Sequence, residues 1–285
     1  MTPWTSWHLH VGTFSPPLMD RLITEVVAPA VPSTSWFYVR YWNRGPHVRL
    51  RLRDAVAGMD LHAKLEQFLP STPFELDADG YRNLVAKVAE IDRTDTALPG
   101  AFREPGLYRE TYRPETDRYG GTTEMALSEE LFWHSSRTAL PVVAAIGRGE
   151  VSRRSAAVQA FAAGLSVLRD PARMFRYLEH SRRNWPASVG GDLDAAGAHV
   201  TALAGSPFVE RLLAGRSAAV WQPWTRPLRT ALSRWTADHR GGVLATPPEV
   251  LLASHLHMMS NRLGISLNEE LRLISLLHAV LAESL

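Results

Sequence analysis

Residues 47–53, HVRLRLR, alternate polar and apolar positions without a break. Side chains on a β-strand point to opposite faces in turn. His47, Arg49, Arg51 and Arg53 therefore share one face and Val48, Leu50 and Leu52 the other. WTSWHLHVGTF (4–14) also alternates and predicts a strand, as does the aromatic WFYVRYW (36–42). Asn43-Arg44-Gly45-Pro46 is a turn by composition, so 36–42 and 47–53 form a hairpin, with Arg40 placed near the Arg49/Arg51 row. Between the first two strands, Pro16-Pro17 opens LMDRLITEVVAPAV, whose apolar spacing suits a helix with proline in its first turn. MDLHAKLEQFL (59–69) predicts a second helix.

Residues 70–122 are punctuated by Pro and Gly and read as loop or short strand. From about Thr123 the spacing turns helical, over TEMALSEELFWHSSRTALPVVAAIG, SAAVQAFAAGLSVLRD, PARMFRYLEHS and two C-terminal segments. Residues 185–247 carry no comparable pattern, with Gly190-Gly191 and the Trp/Pro-rich WQPWTRP (221–227). The expected fold is α+β, a small antiparallel sheet in the N-terminal half and a mainly helical C-terminal half, in a single domain over 1–285.

Composition narrows the function. The chain has 285 residues, 45% of them hydrophobic, and a net charge of +2, which gives no global electrostatic case for nucleic acid or anionic membrane. The basic strand is a local feature. With no cysteine, disulfides, thiolate zinc sites, iron–sulfur clusters and cysteine nucleophiles are excluded. No signal peptide and no run of about 18 apolar residues is present, so a cytoplasmic protein is expected. Lys64 and Lys87 are the only lysines, which we read as genome composition.

Three segments carry candidate chemistry, each with two readings. HVRLRLR is either a solvated strand face or a row of guanidinium groups set for an anion. PEVLLASHLHMMSNRLGIS (248–266) has helix boundaries at Pro247-Pro248 and Gly264. At about 100° per residue, His255 and His257 point roughly 200° apart and cannot chelate one metal. Ser254, His257 and Asn261 do share a face; His257 is either a structural histidine or a general acid–base. In YRPETDRYGG (112–121), Glu115 and Arg118 form either a weak surface pair or part of a site, ahead of a sharp Gly-Gly turn. No phosphate loop, HExxH or GxSxG motif occurs. The nine tryptophans serve as core and loop anchors or line a peptide groove.

Taken in order, WFYVRYWNRGPHVRLRLR, YRPETDRYGG, TEMALSEELF and SHLHMMSNRLG resemble the C-terminal elimination domain of lanthipeptide dehydratases, which also occurs separately as the thiopeptide-type bacteriocin biosynthesis domain. The resemblance runs over essentially the whole chain. It implies a lyase that removes glutamate from glutamylated Ser or Thr of a precursor peptide, leaving dehydroalanine or dehydrobutyrine. A separate glutamylating protein that uses glutamyl-tRNA would supply the substrate, without direct nucleic-acid contact here. The family's functional residues fall on Arg49 and Arg51, on Glu115 and Arg118, and on His257. We therefore expect His257, Arg51, Arg118 and Glu115 to be catalytic, and Arg49, Arg51, Arg118, Arg40, Ser254 and Asn261 to bind substrate. The family often shows Asp-Ser where this chain has Ser135-Ser136, which removes a carboxylate.

The rival readings are a thiopeptide pyridine synthase on the same scaffold, a non-catalytic module that binds the precursor peptide, and an anion- or RNA-binding protein. No cofactor or metal is expected, because no ligand cluster stands out in the sequence. A homodimer or a complex with the glutamylating partner is the expected assembly.

Overall fold

The computed structural model describes residues 4–31, 35–53, 58–73, 81–82, 86, 102–184 and 207–284. The chain divides into two compact units that interleave along the sequence, residues 1–114 with 139–150, and residues 115–138 with 151–285.

The first unit holds the sheet. Strands β1 (Thr5–His10), β2 (Trp36–Tyr41), β3 (His47–Leu52) and β4 (Gly106–Glu110) pair antiparallel in the order β2-β3-β1-β4. The hairpin between β2 and β3 turns where Asn-Arg-Gly-Pro predicts it. Gly45 has φ +105°, and a Cβ there would come within 2.9 Å of the Phe102 ring, so glycine is required twice over. Leu9, Tyr38, Val48, Leu50 and Leu52 are fully buried on one face of the sheet. Each such aliphatic side chain contributes about 1.5–3 kcal/mol by leaving water.

Helix α1 (Pro16–Arg21) begins at its prolines and continues through a wider, π-helical stretch (Leu22–Val27) into Ala28–Ala30. There the Ala28 N–H reaches back five residues to the Ile23 carbonyl. Leu22, Ile23, Val26 and Val27 are its buried side. Helix α2 (Gly58–Phe68) lies where the sequence places it.

The second unit is helical. Its elements are the first part of α3 (Thr122–Gly147), then α4 (Arg153–Leu165), α5 (Pro171–Asn184), α6 (Pro207–Leu213), α7 (Gln222–Arg240), α8 (Pro248–Arg262) and α9 (Leu267–Ser284). The Trp/Pro-rich stretch that showed no pattern is the start of α7. Pro223 sits in the first turn, where its missing N–H costs nothing, and Pro227 forfeits one bond further in. Trp221, Trp224 and Trp235 are buried, so these are core anchors. Gly164 of α4 lets Leu256 of α8 and Trp224 of α7 approach closely; a Cβ would sit 2.7 Å from the Trp224 ring and closer still to Leu256. Residues 185–206, with Trp185 and Gly190-Gly191, lie outside the described residues.

The α+β class holds, with four strands where three were expected among the described residues; β4 comes from the Pro/Gly-punctuated region. No helix among the described residues is long and apolar enough to cross a membrane.

Candidate functional site

The candidate residues fall into two sets, one in each unit. The first lies on the sheet face opposite Val48 and Leu50. The register places Ser6, His8 and His10 of β1 beside Arg51, Arg49 and His47 of β3, with Phe37, Val39 and Tyr41 of β2 on their other flank. This face is not simply wet. Arg51 is only 8% exposed, and its guanidinium lies 5.9 Å from the Phe37 ring centre and 5.6 Å from that of Tyr112. Arg49 lies against the Tyr41 ring at 3.2 Å, and Arg53 is 4.7 Å from the Trp4 ring. Aromatic faces hold the guanidinium groups flat and partly dehydrated, the condition under which a carboxylate is gripped most firmly.

Arg40 does not join this row. It pairs with Val48 in register, hence on the opposite face, where its Nη2 donates to Asp20 of α1 at 2.6 Å. The expectation that it sits beside Arg49 and Arg51 is corrected: alternation carried it to the other side, and it ties β2 to α1.

The expectation of no ligand cluster also needs correction. His8, His10 and His47 gather on the basic face, with one nitrogen from each within 4.8 Å of the others. Burial first, then the charges of Arg49 and Arg51, lower the His8 pKa to about 2. Burial, then Arg103 and Arg49, lower that of His10 to about 3. His47 is held well below its ordinary value by burial and by His10 and Arg49. All three imidazoles are neutral at pH 7. The signal was in HLH: on a strand, unlike on a helix, i and i+2 share a face.

The second set is built on α8 and the loop before α3. Residues Thr116–Tyr119 form a single 3₁₀ turn, and Gly120 and Gly121 follow at φ +82° and +93°. The Gly121 N–H closes back on the Thr116 carbonyl at 2.8 Å. This turn aims Arg118 at α8, where its Nε donates to Ser254 Oγ at 3.5 Å. Glu115 is 3.5 Å from Arg118, and both are substantially exposed, so the pair contributes little to stability.

Helix α8 separates its two histidines. His255 is buried among Trp235, Phe132 and Tyr119, stacked 5.5 Å from Trp235. Burial, then Arg262 and Arg118, lower its pKa to about 3. It is a core residue. His257 keeps a quarter of its side chain exposed, and its Nδ1 lies 2.8 Å from Glu270 Oε2. A carboxylate only accepts, so Nδ1 donates its proton to Glu270 and Nε2 is the nitrogen left for other contacts. Ser254 is buried, while Asn261 is partly exposed like His257.

Glu270 was missed. Ser266 and Glu269 cap the start of α9 reciprocally: Glu269 accepts from the Ser266 N–H at 2.9 Å, and Ser266 Oγ accepts from the Glu269 N–H at 3.3 Å. This fixes the first turn so that Glu270 falls in the buried stripe with Leu271, Ile274 and Leu277, 3% exposed. A carboxylate at an apolar position of an amphipathic helix was the available signal. The positive end of the helix dipole favours its charge there.

Arg262 was also missed. It is fully buried, donating from Nε to Ser136 Oγ at 2.8 Å and from Nη1 to the Met258 carbonyl at 2.9 Å. Ser135, where the family often has aspartate, is buried too and donates to the Phe132 carbonyl. Thus Ser-Ser serves the interior of α3.

The family model described as lantibiotic biosynthesis dehydratase C-term matches residues 4–281. The chain belongs to that family. Among solved structures it is similar to the pyridine synthase TbtD from thiomuracin biosynthesis, at 21% identity and TM-score 0.74, covering 99% of this chain and 98% of that one. TsrL is similar at 15% identity and TM-score 0.66, over 99% and 94% of the two chains. The tRNA-dependent lantibiotic dehydratase MibB from Microbispora sp. 107891 is similar at 20% identity and TM-score 0.58, over 99% of this chain and 28% of MibB. At these identities the likeness establishes the shared fold. No curated protein matches the chain.

Proposed function

We propose that this family member is a glutamate-eliminating lyase, acting on glutamylated Ser or Thr of a ribosomally made precursor peptide. The observation that carries the reading is the His257–Glu270 pair: a partly exposed imidazole whose Nδ1 is held at 2.8 Å by a buried carboxylate. A module that only binds peptide has no use for an imidazole with its tautomer fixed. A proton-transfer catalyst needs it.

The chemistry fits the remaining residues. The Cα–H bond breaks, its electron pair forms the Cα=Cβ double bond, and the Cβ–O bond breaks to release glutamate as a carboxylate. His257 moves a proton at Nε2. Arg51 and Arg49 hold the glutamyl carboxylate and the charge that develops as it leaves. Preorganised donors of this kind typically lower a barrier by about 3–4 kcal/mol each. Arg118, steadied by Ser254 and Glu115, adds a further cation, and Asn261 extends the polar stripe beside His257. The substrate comes from a separate glutamylating protein that uses glutamyl-tRNA, and the reaction itself calls for no cofactor.

The test is to incubate the purified protein with a peptide bearing O-glutamyl serine and follow its mass and the release of free glutamate. Conversion to the dehydroalanine peptide supports the lyase. If the ester persists while a peptide carrying two dehydroalanines is cyclised, the protein is a pyridine synthase instead. If both peptides bind and neither changes, it is a recognition module.

A further inference from the structure

The elimination chemistry makes no use of the three histidines on the basic face of the sheet, and their arrangement is specific. His8 and His10 project from the same side of β1, and His47 lies directly across from His10 in the β1–β3 register. The His10 and His47 rings are 4.2 Å apart, those of His8 and His47 4.9 Å. His10 is 1% exposed, and among the described residues neither ring nitrogen has a hydrogen-bond partner. Leaving a buried polar group unsatisfied costs about 1–3 kcal/mol, and such a group in a native fold calls for an ion or water. His47 meets a further condition. Its Nδ1–H donates to the Gly45 carbonyl at 2.8 Å, which fixes the tautomer and turns Nε2 toward the cluster, as backbone carbonyls do for metal-binding histidines.

The geometry points to a binding site for one first-row divalent transition-metal ion, of the Zn²⁺ or Co²⁺ type, held by His8, His10 and His47. Three imidazoles with a fourth position open suit these ions. The absence of oxygen ligands from the set disfavours Ca²⁺ and Mg²⁺. Tetrahedral coordination needs nitrogens about 3.3 Å apart, from metal–nitrogen distances of about 2.0–2.1 Å. The nitrogens lie within 4.8 Å of one another, so ring rotations close the set.

Arg49 opposes loading. Its Nε donates to His47 Nε2 at 3.2 Å, so an incoming ion displaces it. The charges of Arg51 and Arg103 also reach His8, although Arg103 is paired with Glu110 at 2.5 Å. Arg49 therefore acts as a guard on the third ligand, and removing its charge tightens binding. The site stands independently of the elimination reading; either can fail without the other.

The experiment uses the untagged full chain, stripped with a chelator and titrated with Co²⁺ alone, read by calorimetry, metal analysis after dialysis, and ligand-field absorption. One Co²⁺ per chain with the absorption of a four-coordinate, nitrogen-rich site is expected. His10→Gln and His8→Gln each weaken binding at least tenfold, and Arg49→Gln strengthens it. His8 is only partly buried, which keeps the test readable if the His10 variant does not fold. The proposal is overturned by the lack of stoichiometric Co²⁺, by binding that His8→Gln leaves undiminished, or by an Arg49→Gln variant that binds no more tightly than wild type.

Discussion

The basic face of the sheet and the polar stripe of α8 both present histidine, and they treat it in opposite ways. On the sheet, His8, His10 and His47 are packed together beside Arg49 and Arg51, and burial and positive charge keep them neutral. On α8, His257 has a buried carboxylate, Glu270, at its Nδ1 and water at part of its surface. The comparison extends within the helix itself: two residues away, His255 is walled in by aromatic rings and held to a pKa of about 3. Residue type alone therefore says little about an imidazole's task. The neighbours distinguish the tasks: they fit the proposed proton transfer at His257, the proposed metal ligation by the sheet cluster, and packing at His255.

The sharpest way to break this contrast is at His257. His257→Ala is expected to slow glutamate release by about 10²–10⁴-fold, the range for loss of a general acid–base, and to lower stability as well, because it takes the hydrogen-bonding imidazole from the buried Glu270. His255→Leu should leave the rate within a few-fold. If the two variants lose activity equally, the division of labour along α8 is wrong.

Arg40 and Arg51 sharpen the same point on the two faces of the sheet. Arg40→Met removes the guanidinium paired with the buried Asp20, and breaking a buried pair costs up to about 3–5 kcal/mol, to be read from chemical denaturation. The molecules that remain folded should turn over normally. Arg51→Ala should do the reverse, with stability nearly kept and a loss of about 3–4 kcal/mol in transition-state stabilisation, or about 10²–10³-fold in kcat/KM.

Glu270 comes next. Glu270→Gln replaces a charge-assisted hydrogen bond worth about 1.5–3 kcal/mol, so kcat should fall about 10- to 100-fold while KM barely moves. A structural role alone would lower stability without changing the pH profile of kcat. The orienting role predicts that the profile shifts.

The smallest effect, taken per pH unit, is on pH-dependent stability. A histidine whose folded pKa lies below its unfolded value of about 6.5 stabilises the fold above pH 6.5. That contribution is lost as the pH falls toward the folded value, because the unfolded chain binds the proton first. His8, His10, His47 and His255 all act in this direction. Between pH 6.5 and about 3, His8, His10 and His255 each contribute a slope of roughly 1.4 kcal/mol per pH unit. The His255→Leu variant should therefore lose stability less steeply than wild type over that window, as followed by denaturation midpoints.

Much of this architecture was legible in the sequence because it is written in periodicity. Alternation at 47–53 gave the β3 faces, Asn-Arg-Gly-Pro gave the hairpin, and spacing gave α3, α4, α5, α8 and α9, while α6 and α7 fall in the stretch without a pattern. What escaped depends on three-dimensional neighbours. Arg40 was misplaced because facing across a hairpin depends on register, which one strand's pattern does not contain. His8 and His10 went unremarked because their significance depends on His47, 37 positions beyond His10, lying opposite in the sheet. Glu270 was hidden because a carboxylate on the buried side of a helix has meaning only once α8 is packed against it. Strand β4 was read only as part of a loop or short-strand region, because five residues, GLYRE, give too short a pattern to place.

The central claim is that His257, oriented by Glu270, moves the proton in glutamate elimination. The most direct measurement is a double-mutant cycle on His257 and Glu270, with glutamate release from an O-glutamyl serine peptide as the readout under single-turnover conditions. Residues that act as one unit are strongly non-additive. The expected result is that His257→Ala/Glu270→Gln releases glutamate about as slowly as His257→Ala alone. If the two losses multiply, or if His257→Ala eliminates glutamate at the wild-type rate, the pair does not carry the proton transfer.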